Sequence, residues 1–365
     1  MSPPLILVSG YYGFANAGDE AILAGLVEGL RQLAPQAEPV ILSGDPAATE
    51  SEHGVRAMPR GLCSLRRHLR HADLFISGGG GLLQDATSWR SPLYYLATLR
   101  LARRAGVPVA CIGHSVGPLR RRWIRALVRR EISRASMIAV RDHASAETLR
   151  ALGVRRAAEV TADLAFALNP PSPDETARAW EKAGLGGDSR PAVAVCLRRP
   201  PGRPDHTLAA ALAQAIAPAC RELNLRVVLV PMQYPDDITF AERTAHGMSD
   251  QAEIVHTRLT ARDLLALTGG FHLVIAMRLH ALIFAAISGV APVAISYDPK
   301  IEGMTAELGL PVAASATALE GGALARAIRS TFENREGIAR ELSARAPSLR
   351  AAALRNIELA LSVLP

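Results

Sequence analysis

The sequence predicts an α/β protein made of two doubly wound parallel-sheet domains, and three observations carry that expectation. Short runs rich in Val, Ile and Leu alternate with segments of helical periodicity, the pattern of parallel strands joined by crossover helices. The alternation completes one cycle, halts at the proline-rich stretch "NPPSP" (169–173) and starts again. With 365 residues, 49% hydrophobic and 21% charged, the chain has the size and composition of an ordinary two-domain globular protein.

In the first cycle, strands are expected at 5–9, 39–43, 73–77, 107–113, 137–141 and 158–162. In the second they are expected at 192–198, 225–231, 253–256, 273–277 and 292–296. Pro170, Pro171 and Pro173 stiffen the connection between cycles, because proline continues neither a ladder nor a helix. The expected division is therefore a first domain over 1–170, a second over 171–345, and a final helical run over 346–365 that packs back on the first. Two Rossmann-like domains facing a cleft form a GT-B-like architecture, whose ligands bind at the carboxyl ends of the strands.

The formal net charge of +7, from 41 Lys and Arg against 34 Asp and Glu, suits an anionic ligand. Nucleic acid is not expected as a partner, because only 4% of residues are aromatic and base-stacking platforms lack material. The basic helical run around 120–134 reads first as a solvated face, and also as a candidate surface for peripheral membrane contact. Cys63, Cys111, Cys196 and Cys220 form no CxxC pair and have no histidine at ligand spacing, so reduced thiols, no metal and a cytoplasmic location are expected. The start of the chain lacks the basic and long apolar regions of a signal peptide. The apolar stretch 272–297 is interrupted by Arg278 and His280, which argues against a membrane span.

Four motifs fall at predicted strand ends. "GYYGFANAGDEAIL" leaves the first strand through a glycine turn and enters a helix carrying Asp19 and Glu20 in its first turn. It lacks the GxGxxG spacing, and carboxylates there disfavour a phosphate, so a neutral polyol such as a sugar is the better guest. In "FISGGGGLLQDATS", Gly78 to Gly81 let the backbone approach a ligand, and Gln84 and Asp85 are expected one turn into the next helix, where Asp85 could act as a base. "AVRD" sets Arg141 before a helix start as an anion-binding fork, with an ion pair to Asp142 or Glu147 as the plain alternative. "MRLHALIFA" places Arg278 and His280 at a strand-to-helix turn, a site for an anion with a titratable group beside it, and "SYDPKIEG" adds Lys300 and Glu302 on the same edge.

Together these motifs, with "TADLAF", resemble the polysaccharide pyruvyltransferase family, most closely its bacterial branch that pyruvylates cell-wall polymers for surface-layer anchoring. The resemblance runs through nearly the whole chain. It implies a GT-B-like fold, phosphoenolpyruvate as donor, no cofactor, and as acceptor an N-acetylmannosamine-type sugar of a cell-wall glycan or its lipid-linked precursor, reached at the inner face of the membrane. One departure is "GHSVGPL", where relatives often carry Gln and Gly at the positions of His114 and Ser115. The resemblance assigns Arg141, Arg278, His280, Lys300 and Glu302 to the donor side, His280 as general acid or phosphate partner. It assigns Asn16, Gly18, Asp19, Gly79, Gly80, Gln84 and Asp85 to the acceptor side, with Asp19 or Asp85 as the base. The rival readings are a GT-B glycosyltransferase or related enzyme using a nucleotide sugar, and a non-catalytic binder of acidic glycans.

Overall fold

The structure, a computed structural model, describes residues 3–86, 88–199, 205–248 and 252–365. The chain divides into two compact units, Met1–Leu168 together with Ser348–Pro365, and Asn169–Pro347.

The first unit holds β1 (Leu5–Tyr12), β2 (Glu38–Ser43), β3 (Arg56–Pro59), β4 (Leu74–Leu83), β5 (Val109–Val116), β6 (Met137–Val140) and β7 (Glu159–Val160). They form one sheet in the order β3–β2–β1–β4–β5–β6–β7, with every pairing parallel. The second unit holds β8 (Ala192–Cys196), β9 (Arg226–Leu229), β10 (Ala252–Ile254), β11 (Leu273–Ala276), β12 (Pro292–Ser296) and β13 (Val312–Ser315). Their order is β10–β9–β8–β11–β12–β13, again all parallel. Each sheet grows outward in two directions from its first strand, so its order reverses between β1 and β4 in one unit and between β8 and β11 in the other. That reversal opens a crevice at the carboxyl ends of the two strands.

Both cores are built from alternate strand residues pressed against crossover helices. Leu7, Phe75, Val109, Cys111 and Ile138 lie in one cluster of the first unit. Val193, Val195, Val227, Leu229, Ile275, Val293 and Ile295 lie in the second. Burial pushes the thiols of Cys111, Cys196 and Cys220 up to about 12, so they pack as small apolar groups and carry no nucleophilic role. No described helix is long and apolar enough to cross a membrane.

Two differences from the sequence expectation concern strands. β3 and β13 are short edge strands containing Pro or Ala, and pairing with one neighbour defines them more than any β-rich composition. The strand expected at 73–77 does not end before the glycine run. β4 continues through it to Leu83, and the next helix begins at Arg90, so Gln84 and Asp85 lie in a loop where a helix was expected. Pairing to β5 persists across Gly78↔Ile112, Gly80↔His114 and Leu83↔Val116, with a register shift that absorbs the left-handed residues.

A 27-residue helix, Arg335–Leu361, carries the chain out of the second unit and completes the first. Its anchor is Asn356, fully buried. Asn356 Oδ1 accepts from the Gly113 N–H (2.9 Å) and the Thr161 hydroxyl (2.8 Å), while Nδ2 donates to the Ala162 (3.0 Å) and Ala353 (3.2 Å) carbonyls. Asn356→Ala would leave the Gly113 N–H and the Ala162 carbonyl buried and unpaired, each costing about 1–3 kcal/mol. The first unit should therefore lose at least roughly 2 kcal/mol, read as a lowered urea midpoint. An unchanged midpoint would show that the network is dispensable.

Candidate functional site

The sequence places polar residues at both crevices. In the first unit, β1 leads through Gly13 to Asn16, whose side chain caps the helix Ala17–Leu33 by accepting from Gly18 N (3.1 Å). The two carboxylates of the first turn then part company. Glu20 is buried, accepts from Gly13 N (2.9 Å) and lies 3.3 Å from His53 Nε2, so it closes the loop. Asp19 is half-buried against the glycine strand, where a Cβ added at Gly80 would come within 3.0 Å of its Oδ1. At Gly79 such a Cβ would meet Ile22 at 2.4 Å, and both glycines have φ near the left-handed region, +61° and +79°. These glycines let the helix lie on the strand end and bring Asp19 to the β1/β4 crevice.

An aromatic rim surrounds that edge. Tyr11 and Phe14 stack at 4.3 Å, and the Arg60 guanidinium lies 4.4 Å from the Tyr94 ring and 5.0 Å from Phe14. The Tyr94 hydroxyl donates to the Arg60 carbonyl (2.9 Å), and Arg60 Nη2 donates to the Tyr95 hydroxyl (3.1 Å).

Gln84 accepts from Ala86 N (2.8 Å) through its side chain. Asp85 is buried and accepts from the N–H groups of Arg120 (2.7 Å) and Arg121 (2.8 Å), with the Arg121 guanidinium 3.5 Å away. Burial works to raise the Asp85 carboxyl, but the two N–H groups and Arg121 together outweigh it and hold it below the usual carboxylate range. A depressed carboxylate with both oxygens engaged is a poor base, and it works as a clamp between the loops after β4 and β5.

Arg141, at the end of β6, is buried and donates to Asp163 (2.7 Å), with Asp142 at 3.5 Å. The ion-pair alternative read from the sequence is thus present, chiefly to Asp163 and to Asp142 rather than Glu147. Nη2 makes no hydrogen bond among the described residues. Beside it His114 is buried, with Nε2 3.1 Å from the Ser77 hydroxyl.

In the second unit the crevice lies between β8 and β11. Arg278 follows β11, is buried, and pairs through Nη2 with Asp237. Both terminal nitrogens also reach Gln233 Oε1 (3.3 Å each), and Nε is buried with no hydrogen bond among the described residues. Asp237 is itself oriented by the N–H groups of Met232 (3.1 Å) and Gln233 (3.0 Å) in the loop after β9. His280, half-buried, occupies the first turn of the helix Leu279–Ser288. Lys300 and Glu302 lie in the first turn of Pro299–Glu307, capped by Asp298, and Glu302 accepts from the Ser296 hydroxyl (2.9 Å). Arg198 leaves β8 and donates to the Tyr297 hydroxyl beyond β12 (2.8 Å), with its guanidinium 5.3 Å from that ring. Because β11 lies between β8 and β12, this pair spans the strand end that carries Arg278 and His280. Three cations, a histidine and two helix N-termini thus share one edge, an arrangement that attracts a multiply charged anion.

Arg198, Asp237 and the Arg60 rim were not identified from the sequence. Arg198 stood inside the predicted strand 192–198, whereas β8 ends at Cys196 and frees it as a strand-end cation. The paired tyrosines at 11–12 and 94–95 were a usable signal in an aromatic-poor chain.

Two doubly wound sheets, one with a cation-lined crevice and one with a carboxylate-and-glycine crevice, define a GT-B-type fold. The family model for polysaccharide pyruvyl transferase matches residues 16–299, and the chain belongs to that family of enzymes. The amylovoran biosynthesis protein AmsJ of Erwinia amylovora is 26% identical over 308 residues, 79% of this chain and 72% of that protein. Among solved structures, a putative UDP-N-acetylglucosamine 2-epimerase from Listeria monocytogenes has a TM-score of 0.69 at 13% identity, covering 99% of this chain and 96% of that one. The S. aureus MnaA-UDP co-structure has a TM-score of 0.68 at 14% identity, covering 99% and 97%. These structural likenesses concern the fold.

Burial, helped by the Arg141 charge and opposed by the Ser77 hydrogen bond, holds His114 down at about 4. The unfolded chain, titrating near 6.5, then binds a proton in the window between those values that the native state refuses, so stability falls as pH falls through it. The loss should reach about 3 kcal/mol by pH ~4, and His114→Gln should remove it, with chemical denaturation across pH as the readout. Equal pH dependence in the variant would sink this assignment.

Proposed function

We propose that the protein transfers a pyruvyl group from phosphoenolpyruvate to two hydroxyls of one sugar, N-acetylmannosamine in a cell-wall polysaccharide or its lipid-linked precursor, releasing phosphate. The observation that carries the donor reading is the edge after β11, where Arg278 and His280 are spanned by Arg198–Tyr297 and flanked by Lys300. Phosphoenolpyruvate carries a phosphate and a carboxylate on one small skeleton, which several fixed cations can hold at once. His280 delivers a proton to the methylene carbon, and the adjacent carbon becomes an oxocarbenium-like electrophile. One sugar hydroxyl adds to it, the C–O bond to phosphate breaks, and the second hydroxyl closes the ketal. Of the two hydroxyl protons, one restores the acid and the other leaves through a base.

Asp19 is the better base of the two carboxylates considered, because Asp85 has both oxygens engaged with backbone N–H groups. Asn16, Gly18, Gly79, Gly80 and Gln84 form the acceptor side in this reading, and the stacked Tyr11 and Phe14 offer a face for a sugar ring. Glu302 orients Lys300, and Arg141 offers Nη2 to an anionic group of a bound substrate. Surface-layer anchoring is one use of a wall polymer modified this way. A second acceptor class, an exopolysaccharide, is favoured by the relative named for amylovoran biosynthesis.

Phosphate release from phosphoenolpyruvate should depend on an N-acetylmannosaminyl acceptor, with a pyruvyl mass gain on the sugar. Release only with exopolysaccharide fragments would move the acceptor to the second class, and protection from thermal unfolding by UDP without any release would favour nucleotide-sugar chemistry. His280→Ala should lower kcat at least roughly 100-fold with the fold retained. Lys300→Ala and Arg198→Ala should raise KM for phosphoenolpyruvate roughly tenfold, and unchanged constants would remove them from the donor site. Arg278→Ala is a poorer test, since it strands buried Asp237 and destabilises the fold.

A further inference from the structure

The loops after β4 and β5 meet in a surface that the proposed chemistry does not use. Trp89 and Trp123, two of the three tryptophans in the chain, are 42% and 46% exposed and pack edge to face at 6.1 Å. Exposed tryptophans of this size in contact with one another are costly in water and favourable at a membrane interface, where the ring is buried and the indole N–H stays hydrated. Beside them stands Arg90, whose guanidinium lies 5.4 Å from the Trp89 ring, and Arg120, Arg122 and Arg125 neighbour Trp123 in the chain; all four are exposed, and their guanidinium groups have no acidic partner among the described residues. The helix Arg122–Ile132 has no acidic residue in its first turn and no side-chain cap, so these arginines crowd the positive end of its dipole. Helix energetics disfavours cations there, and an external anionic surface would favour them.

We infer that this region, the Trp89–Trp123 pair with Arg90 and the neighbouring Arg120, Arg122 and Arg125, docks the protein on an anionic lipid surface. Charge complementarity and the exposed aromatic pair together select that partner, since a soluble polyanion would need only the arginines. Asp85 builds the face, because its two backbone hydrogen bonds fix the Arg120–Arg121 segment beside the loop leading to Trp89. Both loops leave the carboxyl edge of the first sheet, the same edge that carries Gly79, Gly80 and Asp19. An acceptor held in a bilayer would therefore be met from the side that already faces it. Lipid binding stands apart from the pyruvyl reading and is measured without turnover.

The test is co-sedimentation with vesicles of mixed phosphatidylglycerol and phosphatidylcholine against vesicles of phosphatidylcholine alone, together with tryptophan fluorescence. Binding should require the anionic lipid, weaken with salt and blue-shift the emission. Trp89→Ala with Trp123→Ala, and separately Arg120→Glu with Arg125→Glu, should each weaken it roughly tenfold while circular dichroism and the urea midpoint stay unchanged. Equal binding to phosphatidylcholine alone, or full binding by the tryptophan variant, would overturn the inference. Binding to dextran sulfate without binding to any vesicle would overturn it as well, pointing to a soluble polyanion.

Discussion

All strand pairings in both sheets are parallel, and a parallel sheet covered on both faces by its crossover helices has little room for polar side chains along its length. Such groups can work only where strands end, and the opening is widest where the strand order reverses. Here the constraint operates twice, between β1 and β4 and between β8 and β11. It explains why chemically loaded residues follow long apolar runs in the sequence. Arg278 and His280 sit beyond the buried β11, Asp19 opens the helix that follows β1, and the glycines occupy the second half of β4.

Charge buried at these edges is compensated before any ligand arrives. Arg278 is held by Asp237, Arg141 by Asp163, and Glu20 by the Gly13 N–H and His53. Desolvated ions are tolerable only with such partners, and the partners also fix the direction of each side chain. Side chains held in place in this way need little reorganisation when a ligand arrives.

Much of this arrangement was legible in the sequence, for physical reasons that also mark where reading failed. Buried parallel strands announce themselves as apolar runs, so the interior strands and the strand-end motifs around Arg278, Lys300 and Asp19 could be placed. Edge strands such as β3 need only one partner and little hydrophobicity, which leaves them silent. The strand before the glycine run was ended too early, at 77, because glycine signals backbone freedom without saying whether the ladder continues, and β5 keeps it paired. Asp85 looked like a base because a carboxylate near glycines is chemically suggestive; its two N–H donors come from residues 120 and 121, a long-range contact no local pattern reveals. Asp237 and Arg60 were missed for the same reason.

The helix Arg335–Leu361 has a consequence for how the molecule is made. Its Asn356 supplies the hydrogen bonds that close the first unit, yet the whole of Asn169–Pro347 is translated before it. At synthesis rates of about 5–20 residues per second, that interval lasts roughly 10–35 s. During this time the nascent sheet β1–β7 lacks the partner for its Gly113 N–H and Ala162 carbonyl. The second unit is contiguous in the sequence, whereas the first is complete only once Ser348–Pro365, the last part of the chain, has been made.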